Sequence, residues 1–187
     1  MSKVFKVVTD STFEPFTLSE AKDLLRVDFS SHDDLILSII KGARASVEQY
    51  CGIGITLKTV EQRYNAFEDC MQLTFGNVYE VESVKYLDNT DTEQVCATTI
   101  YGADLFKIPS EVYLKPNQTW PTTSDDRGAV RIRYKSGYAN SAAIPEDLKL
   151  AMRLIIADVY ANPEDSVRRF PTAATNYMEL HRQKFFV

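Results

Sequence analysis

With 187 residues, a formal net charge of -5, 44% hydrophobic and 25% charged residues, the chain has the size of one ordinary domain, or of a small core carrying one sizeable insertion. No apolar run reaches the ~20 residues of a membrane span, and MSKVFKVVTD lacks the apolar block of a signal peptide. The expectation is a protein kept in the cytoplasm or exported inside a larger particle, with no membrane partner, and its acidic balance argues against broad attraction to nucleic acid.

In TLSEAKDLL, Thr17 and Glu20 have capping-box spacing, and Leu18, Ala21, Leu24 and Leu25 fall on one helical face. This predicts a helix of about two turns. The next stretch, RVDFSSHDD, sets His32 beside Asp33 and Asp34, with Asp28 four residues before His32. Such a doublet occurs in metal-dependent phosphohydrolases, where imidazole and carboxylates hold ions that activate water. Helix-start physics accounts for the same letters. Ser31 as N-cap puts Asp34 at the third helical position, and both carboxylates favour the positive end of the helix. The only other histidine is His181, so the segment is read as capping, with no metal ligand and no catalytic residue. An exposed first-turn His32 needs no ligand.

Leu35, Ile36, Ile39, Ile40, Ala43, Val47 and Tyr50 keep helical spacing up to Gly52, a natural stop, with Lys41, Arg44 and Glu48 expected on the opposite face. From Ile53 to about Tyr138 the period changes to two. Val60, Gln62, Tyr64 and Ala66 alternate with polar neighbours, MQLTF, VESVKYL and AVRIRY repeat the pattern, and DNTDTE, KPNQ and TSDDRG separate them. Roughly six antiparallel strands are expected. Within RIRYK, the alternation makes one strand face basic through Arg131, Arg133 and Lys135. Such a face can contact phosphates, be paired across strands, or meet an acidic neighbouring subunit.

In IPEDLKLAMRLIIADVYANPE, Pro145 suits a first helical position and Glu146 and Asp147 the positive end of the dipole. Leu148, Ala151, Met152, Leu154, Ile155, Ile156, Val159 and Tyr160 cover most of the circumference, which predicts a helix surrounded by others. After the charged connector EDSVRR, the segment PTAATNYMELHRQKFFV is expected to be helical to about Arg182. Its end, Phe185, Phe186 and Val187, either folds back onto the helices or meets an outside partner.

Cys51, Cys70 and Cys96 are odd in number and widely spaced, without a C-x-x-C pair, so neither a disulfide framework nor a zinc site is indicated. Phosphate loops, dinucleotide fingerprints and nucleophile elbows are absent from the letters, and no cofactor is implied. The fold class expected is α+β: a helical bundle from residues 1–52 and 143–187, with an antiparallel β-rich insertion, 53–142, between the second and third main helices.

Three segments, EPFTLSEAKDLLRVD, DDLILSIIKGARASVEQYCGIGI and GAVRIRYKSGYANSAAIPEDLKLAMRLIIADVYANPE, together resemble the head-tail connector proteins of tailed bacteriophages, also called head-completion or adaptor proteins. The resemblance implies a structural virion protein and no enzyme. It implies a homo-oligomeric ring, typically dodecameric, docked beneath the portal at the capsid vertex and assembled in the host cytoplasm. It also implies that the ring extends the DNA channel, through which DNA passes without sequence-specific binding, and offers a platform for the tail or stopper. Family members commonly contact the portal through the C-terminal segment, which would make Tyr177, Met178, Leu180, Phe185 and Phe186 the contact residues. Truncation after Arg169 is then expected to leave a folded monomer that no longer binds portal. Rival readings are another neck or tail-completion role and, on His32 and Asp33, a metal-dependent phosphohydrolase.

Overall fold

A computed structural model describes residues 5–163 and 170–183. The chain divides into two compact units, a helical one that includes Ser11–Thr56 and continues from Tyr138, and a β unit built on Leu57–Gly137 and the N-terminal strand. Residues 5–10 group with the strands, and the crossings fall at Thr56 and Tyr138.

In the helical unit, α1 spans Leu18–Leu25 and α2 Asp33–Cys51. The capping box at α1 forms as its spacing predicts: Thr17 Oγ1 accepts from the Glu20 amide at 3.2 Å, and Glu20 Oε2 accepts from the Thr17 amide at 2.7 Å. Ala21 is buried, while Leu18 and Leu25 are partly covered. Leu24 is exposed, contrary to its expected place on the buried face, because two turns turn only a narrow stripe inward.

The start of α2 corrects the sequence reading. Its N-cap is His32, with no side-chain cap bond, so Ser31 and Asp34 form no capping box. Asp33 instead accepts from Lys22 Nζ at 2.7 Å, tying the two helices together. At the other end Gly52 takes the left-handed cap conformation (φ 70°) and its amide bonds back to the Glu48 carbonyl, the role read for it.

Ile36, Ile39, Ile40, Ala43 and Val47 are buried along α2, and so are Arg44 and Glu48. These two charges are not on the solvent face. They continue the i, i+4 row Ile36, Ile40, Arg44, Glu48, which lies on the inward side of the helix. The guanidinium grips Glu14 with two bonds, Nε to Oε2 at 2.8 Å and Nη2 to Oε1 at 3.2 Å, and reaches Glu48 at 3.4 Å. Glu48 Oε1 in turn accepts from the Ile55 amide at 3.0 Å. Each buried charge thus has an opposite charge or a backbone donor, which is the condition for keeping it out of water.

Two further helices complete this unit, α3 (Glu146–Ala161) and α4 (Thr172–Glu179). On α3, Leu148, Ala151, Met152, Ile155 and Ile156 are buried, whereas Leu154, Val159 and Tyr160 are only partly covered and Leu150 is exposed. One side therefore stays wet, and the helix is not enclosed all round as its composition suggested. Burial of its four largest core side chains contributes on the order of 6 to 12 kcal/mol before entropy is subtracted. Ala174 and Met178 of α4 join the same core.

The β unit holds eight strands among the described residues: β1 (Phe5–Thr9), β2 (Lys58–Tyr64), β3 (Cys70–Gln72), β4 (Val78–Leu87), β5 (Glu93–Val95), β6 (Tyr101–Asp104), β7 (Glu111–Leu114) and β8 (Val130–Ser136). They form an antiparallel five-stranded sheet, β1-β2-β8-β4-β5, and a three-stranded sheet, β3-β7-β6. Val60, Val84, Ile132 and Tyr134 of the larger sheet share one apolar core with Met71, Tyr101 and Val112 of the smaller. Gln62 joins the sheets through polar bonds: its amide donates to the Gln72 carbonyl at 3.0 Å, and its oxygen accepts from the Thr74 amide at 2.9 Å. The architecture is mixed α+β, as expected, with strands beyond the six read from the alternation.

Candidate assembly surfaces

The pattern of β8 places Val130, Ile132, Tyr134 and Ser136 in the core and turns Arg131, Arg133 and Lys135 to the opposite face. Because β8 lies between β2 and β4, its cations meet carboxylates on both sides. Arg131 bonds Glu93 at 2.8 Å and Arg133 bonds Glu61 at 3.0 Å. Lys135 bonds Glu80 and lies 3.5 Å from Glu82. The stripe is thus neutralised across strands within its own chain. Burial pushes the Glu61 carboxyl up, and hydrogen bonds from Arg133 and Arg63 outweigh that and hold it below its ordinary value. The hydrogen bond from Lys85 does the same for Glu93.

Residues after α3 are bound to the end of α2 at several points. Cys51 Sγ donates to the Met178 carbonyl at 3.4 Å, the Cys51 carbonyl accepts from the Gln183 amide at 2.9 Å, and Tyr50 donates to Glu179 at 2.5 Å. Arg182 bonds Glu179 at 3.0 Å and lies over the Tyr50 ring. His181 Nε2 lies 2.6 Å from Asp147 Oδ2 in the first turn of α3. Burial raises the Asp147 carboxyl, and the bonds from His181 and the Leu148 amide outweigh it and lower it. The thiol of Cys51 is pushed up to about 12 by burial.

The residues read as portal contacts separate here. Met178 is fully buried and Tyr177 is partly covered by the helical core, whereas Leu180 is 74% exposed. Met178 therefore serves as a core side chain, since α4 must turn its apolar positions toward α2 and α3 to be held at all. The helix ends at Glu179, short of the expected Arg182. Phe185 and Phe186 lie outside the described residues.

His32 is half-buried, not exposed. Its Nδ1 lies 2.8 Å from the Tyr160 hydroxyl, and its ring meets those of Phe29 and Tyr160 edge-on. It fastens the start of α2 to the last turn of α3. No group of three His, Cys, Asp or Glu side chains that could hold a metal occurs among the described residues.

One surface was not read from the letters. In the loop between β6 and β7, Phe106 is 99% and Ile108 75% exposed. The loop is nonetheless well tied: Asp104 Oδ1 accepts from the amides of Phe106 and Lys107 at 3.0 and 3.1 Å, and Ser110 donates to the Leu105 carbonyl at 3.4 Å. The run DLFKIP carries three large apolar residues with no strand or helix period, which was the available signal.

Residues 15–87 match the family model of phage gp6-like head-tail connector proteins, so the resemblance read from the residues is present over that stretch. No curated protein matches. Among solved structures, the chain is similar to a chain of the virion of a native gene transfer agent particle, at TM-score 0.83 and 20% identity over 98% of this chain and 97% of that one. It is also similar to chains in the neck of the empty particle computed with C6 symmetry (TM-score 0.82) and in the neck of the native particle computed with C12 symmetry (TM-score 0.81), each at 19% identity over 98% of this chain and 97% of the other. The fold is therefore the one seen in those chains.

Proposed function

We propose that this chain is a structural head-tail connector of a phage-like particle, acting through assembly and not catalysis. The observation that carries the reading is the coincidence of a connector family match at residues 15–87 with a fold match over 98% of the chain to neck chains. In this reading copies close into a ring beneath the portal in the neck of the virion, extend the DNA channel and present a platform to the tail or stopper. The C12 symmetry used for one of those necks supports twelve copies. The C-terminal segment attaches the ring to the portal, with Leu180 as the exposed contact among the described residues and Met178 holding α4 in place.

Charge supports a surface past which DNA slides. The chain is acidic overall, and the basic stripe of β8 is spent on its own glutamates, leaving little to release phosphate counterions. Tyr160 holds His32 and Lys22 holds Asp33, contacts that fasten helices to one another and account for both residues without a metal.

The test is to add the purified chain to portal-bearing heads of its own particle that lack it, and to image them by cryo-electron microscopy. A ring of density under the portal is expected. Binding to tail-tube protein with none to heads would reassign the chain to tail completion, and binding to neither would overturn a neck role.

A further inference from the structure

We infer that the β6–β7 loop is a contact between neighbouring copies of this chain, Phe106 and Ile108 of one copy seating on the apolar rim at β1 of the next. The inference rests on the ring reading above and names the surfaces that build the ring.

A Phe held in water at 99% exposure on a loop whose backbone is tied by Asp104 and Ser110 is a preorganised anchor, since little loop entropy remains to be lost on docking and a Phe has only two side-chain torsions to fix. In a ring of more than two copies such an anchor cannot meet itself, because self-complementary contacts close only two-fold pairs. Its seat must be a different surface of the same chain.

The edge strand β1 supplies one. Phe5 pairs in register with Gln62, and Val7 with Val60, both buried, so Phe5 and Val7 carry the core face of the sheet out to its edge. There they stay 37% and 39% exposed, with the Phe75 ring 5.3 Å from Phe5. The backbone of this edge is blunted by Lys6 and by a register shift between Val7 and Thr9, devices that discourage strand addition. What β1 offers is therefore side-chain surface. The other exposed large side chains on the five-stranded sheet give a poorer seat: Val8 lies within the register shift of β1, Tyr79 falls at another, and Val95 stands opposite Lys85.

Size also points to a second copy held in place. Phe106 and Ile108 together offer roughly 300 Å², well below the ~800 Å² each partner gives to a stable interface. Such a contact does not hold a free pair, but it suffices where a template fixes copies side by side at high effective concentration.

The test uses the full-length chain on portal-bearing heads. Phe106→Asp should leave thermal melting unchanged and lower ring occupancy at least tenfold. An equal mixture of Ile108→Cys and Val7→Cys chains, bound to heads and oxidised, should give a disulfide-linked dimer that neither gives alone. Wild-type occupancy by the Phe106→Asp chain, or a mixture that gives no dimer on fully occupied heads, would overturn the inference while the neck reading stands. Wild-type chain that leaves no ring on heads would overturn both.

Discussion

Arg44 and Glu48 in α2 stand inside the helical core at 7% and 6% exposure, whereas the side chains of Arg131, Arg133 and Lys135 in β8 remain 29%, 41% and 34% exposed. Both sets are paired with opposite charges, yet water can replace the partners of one set and not of the other. The teaching is that an ion pair's weight is set by what happens when it breaks. A stranded charge in α2 has no solvent to turn to, and one on β8 has it at once.

The largest expected effect follows directly. Arg44→Met leaves Glu48 buried without its guanidinium and should cost about 3 to 5 kcal/mol in urea unfolding. Arg44→Met combined with Glu48→Gln keeps an acceptor for the Ile55 amide while removing the stranded charge, and should recover much of that loss. A single-variant cost near 1 kcal/mol would mean that water reaches the row and that the contrast with β8 fails.

Next in size is Met178→Ala. Full burial of Met178 against α2 and α3 predicts a loss of about 2 to 5 kcal/mol, read as a lowered melting temperature. The result also decides how separable the C-terminal segment is. A loss of that size means that truncation after Arg169 uncovers the helical core, so a folded, unchanged monomer is no longer the expectation for that deletion.

On β8, Arg133→Ala and Lys135→Ala should each cost under about 1 kcal/mol, and the cost should shrink as salt is raised. Costs of several kcal/mol that ignore salt would place the stripe with the buried row instead.

Legibility differed from residue to residue for local reasons. Thr17 with Glu20 and the stop at Gly52 are encoded within four residues of the groups they bond, and both were readable. Ile36, Ile40, Arg44 and Glu48 also form a visible i, i+4 row, but residue type pulled the last two to the solvent side, whereas the distant Glu14 and the Ile55 amide help to make their burial tolerable. His32 was misread for the same reason, since Tyr160 lies 128 residues away. The strand character of Phe5–Thr9 depends on β2 being there to pair with it. The exposed Phe106 was the least legible, because exposure of an apolar side chain is a property of the finished surface and leaves no period in the letters.

The smallest effect separates the two regions by pH. Hydrogen bonds from Arg133 and Arg63 overcome burial and hold the Glu61 carboxyl below its ordinary value, so its folded pKa lies under the unfolded ~4.3. Stability from such a group is fully present above the unfolded value and is lost as pH falls through the folded one. The gap between wild type and Arg133→Ala should therefore be constant between about pH 7 and 5 and close as pH falls below the unfolded value and through the folded one, as followed by paired urea titrations. A gap that stays open at the acid end would show that Arg133 contributes through packing of its stem over the sheet, and the electrostatic account of the β8 face would then have to yield to a hydrophobic one.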